Sequence, residues 1–417
     1  MEKQSKWKEL GLYFSGCVKW LVLAVLVGVL VGACGTAFGV GLHWATQTRT
    51  ANPWLIWLLP LAGVGVVTMY RTAGQPGGGS VNAAFVAVRT RVVMPLVTAP
   101  LIFMATIVTH LFGGSAGREG AGLLLGGSLA GQLGKLLRLD DTDCRMMTMC
   151  GMAAVFSAIF GTPLAAVVFT LEVGSVGTMY YAALVPCLVA ALTALGVSGL
   201  AGLEPTAFAL TQTVAMSPAS VAKVLVLATL AGGLSILFCE LLHAAPRLYA
   251  KAFPNPYIRA AAGGALVAVL TFVLHTTDYN GAGEHVIHAA IAGQAVPWAF
   301  VLKMLFTALT LGAGFKGGEI VPLFFTGATF GCVVAPLLGL PAGFGAAIGL
   351  VALFCGATNA PLASVFLAAE LFGGQCLPLF ALACAVSYGF SGYFSLYSEQ
   401  RFIFSKLRAE PREHKDE

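Results

Sequence analysis

Gly151-Met-Ala-Ala-Val-Phe-Ser-Ala-Ile-Phe-Gly-Thr-Pro-Leu-Ala-Ala-Val-Val-Phe-Thr-Leu-Glu172 returns 198 residues later as Gly349-Leu-Val-Ala-Leu-Phe-Cys-Gly-Ala-Thr-Asn-Ala-Pro-Leu-Ala-Ser-Val-Phe-Leu-Ala-Ala-Glu370, with eight identical positions: Gly, Ala, Phe, Pro, Leu, Ala, Val and Glu. The same shift lays Arg118-Glu119-Gly120 over Lys316-Gly317-Gly318, so a basic residue and a glycine-bearing break open the matching segment each time. The chain therefore reads as two halves of one fold, residues 1–200 and 201–417. Repeats of this kind typify transporters whose substrate site lies at the repeat interface near the bilayer midplane, where broken helices turn their N-termini to the ion.

Composition agrees. Of 417 residues 58% are hydrophobic and only 10% charged, against roughly a quarter charged in soluble globular domains, which makes this an integral membrane protein. The 51 glycines let helix backbones approach closely where lipid gives no hydrophobic drive between helices. Net charge is +5, and Lys3, Lys6, Lys8, Arg401, Lys406, Arg408, Arg412 and Lys415 lie in the tails, so a nucleic-acid partner is not indicated. The ten cysteines form no CxxC pair and fall mostly in apolar stretches, as small core residues rather than metal ligands or disulfides.

Eleven uncharged apolar stretches follow one another, among them Trp20–Leu42, Val92–Phe112, Met146–Leu171, Val173–Leu203 and Phe344–Ala369. The first continues without a small-residue cleavage site, which favours a transmembrane helix over a signal peptide. Several others are too short for ~30 Å of hydrocarbon and are interrupted by Gly or Pro, breaks tolerated at membrane depth only where protein or a cavity encloses them. Basic tails place both termini in the cytoplasm, which requires an even number of full crossings.

Two breaks could carry chemistry. In His110-Leu-Phe-Gly-Gly-Ser-Ala-Gly-Arg-Glu-Gly-Ala121, glycines precede an apolar helical run and expose successive backbone N–H groups at a helix start, an anion cradle. Glu119 inside such a cradle is itself a competing anion until protonated or displaced; the plainer alternative is a turn whose Glu caps a helix. Gly312-Ala-Gly-Phe-Lys-Gly-Gly-Glu-Ile-Val-Pro322 repeats the arrangement, with Pro322 suited to a first helical turn. Arg118 reads as a vestibule or loop-positioning residue, His110 as packed, Glu172 and Glu370 as helix-end groups, and Asp140, Asp141 and Asp143 as a solvated loop. No catalytic triad, Walker loop or metal-spaced His cluster stands out, so bond-making catalysis and cofactors are not expected.

At these residues the chain resembles the CLC family of chloride channels and anion/proton antiporters. Gly117-Arg118-Glu119-Gly120 is similar to the family's G-K/R-E-G-P element, with Ala121 departing from Pro, and Gly317-Gly318-Glu319-Ile320-Val321-Pro322 to its G-G-x-F-x-P element, with Ile320 for Phe. Tyr397 falls where the family has its central anion-coordinating tyrosine, and Gly77-Gly78-Gly79-Ser80-Val81-Asn82 stands at the usual G-S-G-I-P loop. The resemblance spans residues 20 to 405 and leaves nothing for the cytoplasmic regulatory domains that some relatives append. It implies an all-α polytopic fold of two inverted repeats with broken, tilted helices, and a homodimer with one pore per subunit in a prokaryotic plasma membrane.

Within the family, Val173, where chloride/proton exchangers usually carry an inner proton-transfer glutamate, and Glu319 together resemble the fluoride/proton antiporter branch. Ser80 departs from that branch, as does Val321, so the anion, fluoride or chloride, stays open, as does antiporter against passive channel. The resemblance implies Ser80, Ile320, Val321 and Tyr397 as anion-binding residues, Glu119 and Glu319 as gate and proton carrier, and Gly117, Gly120, Gly317 and Gly318 as loop glycines. Outside the family, a repeat transporter for a small organic acid fits composition equally, but the sequence offers no side-chain clamp for the organic part.

Overall fold

The computed structural model describes residues 2–90, 92–210, 212–408 and 410–412; Lys415 lies outside them, as do the side chains of Lys3, Lys6 and Lys8. Sixteen α-helices run through the described residues, and the one ladder joins Ser175–Val176 in parallel to Arg401–Phe402. Seven helices are long and apolar enough to cross a membrane, and six more are apolar but shorter. The all-α expectation holds.

Helices begin and end where local chemistry requires, which revises several sequence boundaries. Met146–Leu171 is two helices, Asp141–Phe160 and Pro163–Glu172, because Gly161 turns left-handed at φ 73° and Pro163 starts a new first turn. Phe344–Ala369 divides likewise into Ala342–Thr358 and Pro361–Phe372 around Asn359 at φ 55°. Val173–Leu203 is not one span: beyond Glu172 the chain makes the short strand and a 3-10 turn before Leu184–Leu200 begins. The first helix exceeds Trp20–Leu42 and runs from Glu2 to Ala51. Asp140 is no idle loop residue, since its carboxylate accepts from Asp143 N at 2.8 Å and caps the helix Asp141–Phe160. Of the cysteines, all ten are free, but Cys17 and Cys34 are exposed instead of being core.

Glycine sets the closest packing. The helices Ile320–Leu337 and Ala342–Thr358 touch backbone to backbone: a Cβ on Gly331 would lie 2.0 Å from the Gly345 carbonyl oxygen, and one on Gly349 2.2 Å from that of Gly327. Gly126 and Gly151 make the same contact between Glu119–Leu136 and Asp141–Phe160. Such interfaces exchange side-chain bulk for van der Waals contact along the axes.

The quoted repeat is also a contact. Glu370 accepts from Leu164 N and Ala165 N, both at 2.9 Å, at the start of Pro163–Glu172. Reciprocally, Glu172 accepts from Leu362 N at 3.2 Å and Ala363 N at 2.9 Å at the start of Pro361–Phe372. Each carboxylate thus satisfies helix N–H groups that have no partner inside their own helix. Glu370→Gln should destabilise the protein by about 1–3 kcal/mol, because an amide can accept one of the two bonds and turns a donor toward the other. Thermal unfolding in detergent, beside Glu204→Gln as an exposed control, measures this.

Register differs at the glycine breaks. Gly161 and Asn359, like Pro163 and Pro361, are 198 residues apart, but the structurally matched positive-φ glycines Gly113 and Gly314 are 201 apart. The bridging residues Gly117 and Gly318 are also 201 apart. Arg118 therefore corresponds to Glu319 and not to Lys316, because the helix Asp141–Phe160 has 20 residues and its counterpart Ala342–Thr358 has 17.

Candidate functional site

The two glycine breaks meet. Gly117 N donates to Gly318 O at 2.6 Å and Gly318 N to Gly117 O at 2.7 Å, an isolated antiparallel bridge that sets the helix starts at Glu119 and Ile320 against each other. The approach is close at each of the four loop positions named from sequence, and closest at Gly117, Gly317 and Gly318. A Cβ on Gly117 would sit 2.7 Å from Glu119 Oε2, one on Gly318 2.8 Å from Glu119 N, one on Gly317 2.4 Å from Ala116 Cβ and one on Gly120 3.1 Å from Glu319 Oε2.

Glu119 is 1% exposed, and its Oε2 accepts from Arg118 N at 3.1 Å and from Val321 N at 3.3 Å. Its carboxylate therefore occupies the N-terminal end of the second-half helix, where the dipole and free N–H groups favour an anion. Its Oε1 has no hydrogen-bond partner. Glu319 is the N-cap residue of that helix but makes no capping hydrogen bond, and its buried Oε2, next to Gly120 of the other helix, is also unpartnered. Each acid thus leans on the opposite half.

Tyr397, buried with its hydroxyl unpartnered, packs edge-on against Phe85 at 4.7 Å and stands within electrostatic reach of Glu319 and Glu119. Ile320 and Val321 are buried at the same helix start. The structure thus gathers Glu119, Glu319, Ile320, Val321 and Tyr397. Ser80 does not join them: it is exposed, and its hydroxyl accepts from Asn82 N at 3.3 Å. The Asn82 amide approaches Tyr397 more nearly, donating to Ser398 Oγ at 2.9 Å while its Oδ1 stays buried and unpartnered.

Several supporting residues escaped the sequence reading. Gln400 donates to Val173 O and Thr358 O, both at 2.7 Å, and accepts from Asn359 Nδ2 and Ser395 Oγ, while Ser395 Oγ accepts from Tyr397 N. This knot fixes the Tyr397 turn. Arg49 donates to His110 O at 2.9 Å, and Lys303, fully buried, donates to Gly281 O at 2.7 Å and stands over the Phe325 ring. A lone cation inside an apolar helix was the available signal for Lys303.

A cavity of about 470 Å³ opens beside Arg118, lined among others by Arg49, His110, Asn280, Glu284 and His285. Arg118 Nη2 lies 3.1 Å from Glu284 Oε1, so its place is the vestibule, while His110 is packed, its Nδ1 2.9 Å from Thr106 O. Arg49 and Arg118 bring two guanidinium groups to this lining, and Glu284 a carboxylate.

Comparison with known proteins agrees with this geometry. A "Chloride/fluoride channel protein" of Pseudomonas syringae pv. tomato is 41% identical over 395 residues, covering 93% of this chain and 87% of that protein. An "H(+)/Cl(-) exchange transporter ClcA" of Vibrio vulnificus is 25% identical, covering 93% and 91%. The solved structure of a CLC-type fluoride/proton antiporter superposes with a TM-score of 0.88 at 36% identity over 93% of this chain and 98% of that one. A slow cyanobacterial Cl⁻/H⁺ antiporter, 19% identical, shares the fold at a TM-score of 0.77, covering 89% and 94%. With the voltage gated chloride channel family model matching residues 64–392, and the paired glycine breaks, the enclosed glutamates and the buried tyrosine in place, the chain belongs to the CLC family.

Proposed function

We propose that this protein exchanges a small halide, fluoride foremost, for protons across a cell membrane, with Glu119 as the gate. One observation carries the reading: the Glu119 carboxylate rests on Val321 N–H at a helix start, the place an anion would take. An ionised side chain at membrane depth costs at least ~2.5–3.5 kcal/mol on insertion scales, so an anion that displaces this carboxylate leaves it needing a proton. Displacement by the halide and protonation of the acid are then one event seen from two sides. Ile320, Val321 and Tyr397 supply the donors that replace the anion's hydration shell, and Ser80 acts at the tail-side mouth of its path. Glu319 passes the proton between Glu119 and the cytoplasm, since Val173 cannot.

Residues 1–200 and 201–417 are proposed as inverted repeats in a homodimeric, multi-pass plasma-membrane protein with both termini cytoplasmic. The helix Glu119–Leu136 leads toward the end where Lys19 pairs with Asp143, whereas Ile320–Leu337 leads toward Gly339, whose carbonyl accepts from Lys223 at the far end of Pro218–Ala252, and these opposite senses support the inversion. Purified protein in liposomes under an outward fluoride gradient should move protons uphill, more strongly than under a chloride gradient. Fluoride movement without proton movement would instead support a passive channel, and a stronger response to chloride would support the chloride/proton exchange named for the Vibrio relative.

A further inference from the structure

A second cavity, of about 290 Å³, lies away from the vestibule, lined by Val66, Val67, Tyr70 and Arg71 of one helix together with Arg259 and Lys316. It sits at the opposite membrane face. The apolar segment Pro53–Thr72 has Pro53 at the vestibule and Arg71 at this cavity, 18 residues or about 27 Å apart along a helix. Pro256–Leu274 runs antiparallel beside it, with Gly63 against Ala260 and Pro60 against Gly264, and brings Arg259 to the same end. Lys19 marks this face as that of the N-terminal tail, since Arg49, thirty residues along the same helix, lines the other mouth.

Among the described residues three cations line the cavity and no carboxylate does. Arg71 is exposed and stacks over the Tyr257 ring at 4.9 Å, as interfacial residues do, whereas Arg259 Nε is buried without a partner. Tyr70, 4% exposed, holds a hydroxyl that likewise has none. The three cations line a space too large for a single halide, beside two helices long and apolar enough to cross a membrane. Basic residues above an apolar wall match a phosphate with acyl chains below it.

We propose that this cavity holds the phosphate headgroup of an anionic lipid from the leaflet on the side of the tails. The occupant reaches the transport site through one side chain. Lys316 donates to Gly78 O at 2.6 Å and stands over Tyr70 at 4.9 Å, so a phosphate among these groups braces the Gly77–Ser80 loop against the second glycine break. Lipid occupancy then sets the rate of ion movement without altering the site itself.

The test uses native mass spectrometry of the purified protein with phosphatidylglycerol, and flux in vesicles of phosphatidylcholine with and without it. Retained phosphatidylglycerol should fall about fivefold for each of Arg71→Gln and Arg259→Gln. In pure phosphatidylcholine both variants should transport like the parent, and the acceleration by phosphatidylglycerol should shrink in each. Arg259→Lys, which keeps the charge, should restore most of the retention and guards against a folding defect in Arg259→Gln. Equal retention and equal acceleration in parent and Gln variants would overturn the proposal. Inorganic phosphate that displaces the lipid and accelerates flux in pure phosphatidylcholine would overturn the lipid assignment in favour of a soluble phosphate.

Discussion

Glu119→Gln should bring anion-driven proton flux in proteoliposomes down to the level of protein-free vesicles. The substituted amide still reaches the same place, because its oxygen can accept from Arg118 N and Val321 N as the carboxylate does. What it loses is the ability to alternate between an anion that fills the cradle and a neutral acid that leaves it. Fold should be unaffected, since the loops are held by the Gly117–Gly318 bridge and not by the side chain. Anion movement alone, followed with an ion-selective electrode, separates coupling from conduction: it persists if the amide swings clear and stalls if it remains on Val321 N. Uphill proton movement by the variant would show that the gate is elsewhere.

Glu319→Gln should also abolish coupled exchange while leaving thermal stability close to the parent's. A glutamate at a helix start is ordinarily explained by the macrodipole, worth about 0.3–1 kcal/mol. Here the explanation is weak, because the side chain makes no capping hydrogen bond and its Oε2 is buried beside Gly120 of the other helix without a partner. A buried acid with an unused oxygen is costly to keep and is suited to receiving a proton. Proton flux equal to the parent's, with the same anion preference, would return Glu319 to a capping role and make an ordinary chloride channel the better description.

Much of this site was legible because its parts announce themselves in one dimension. Glycines flanking a basic and an acidic residue have few uses inside a membrane, and two such breaks in one chain imply that they meet; Gly117 and Gly318 do. Other features depend on distances that sequence spacing conceals. The 198-residue shift is right for Pro163 and Pro361 but three residues out at the breaks, because Asp141–Phe160 has 20 residues against 17 in Ala342–Thr358, and this mismatched Arg118 with Lys316. Ser80 lies near the expected loop, yet its hydroxyl is taken by Asn82 N. Glu119–Leu136 was not counted among the apolar spans because its glycines dilute the signal, although those glycines are what bring it against Asp141–Phe160. Gln400 could not have been found at all: its four partners come from three separate parts of the chain.

The exchanged carboxylates of Glu172 and Glu370 have a consequence for how such a chain can arise. A contact in which each side gives what it receives is the pattern of a two-fold interface between identical copies. The segment ending at Glu172 owns both ends of it, a carboxylate to offer and the N–H groups of Leu164 and Ala165 to be capped. A half made as a free chain thus carries the means to pair with itself as readily as with its counterpart. Joining the halves through residues 201–217 decides the contest by effective concentration, because the tethered counterpart is always the nearer partner. Once joined, the two are free to diverge, one keeping Glu119 at its helix start and the other Ile320, without losing the contact that holds them together.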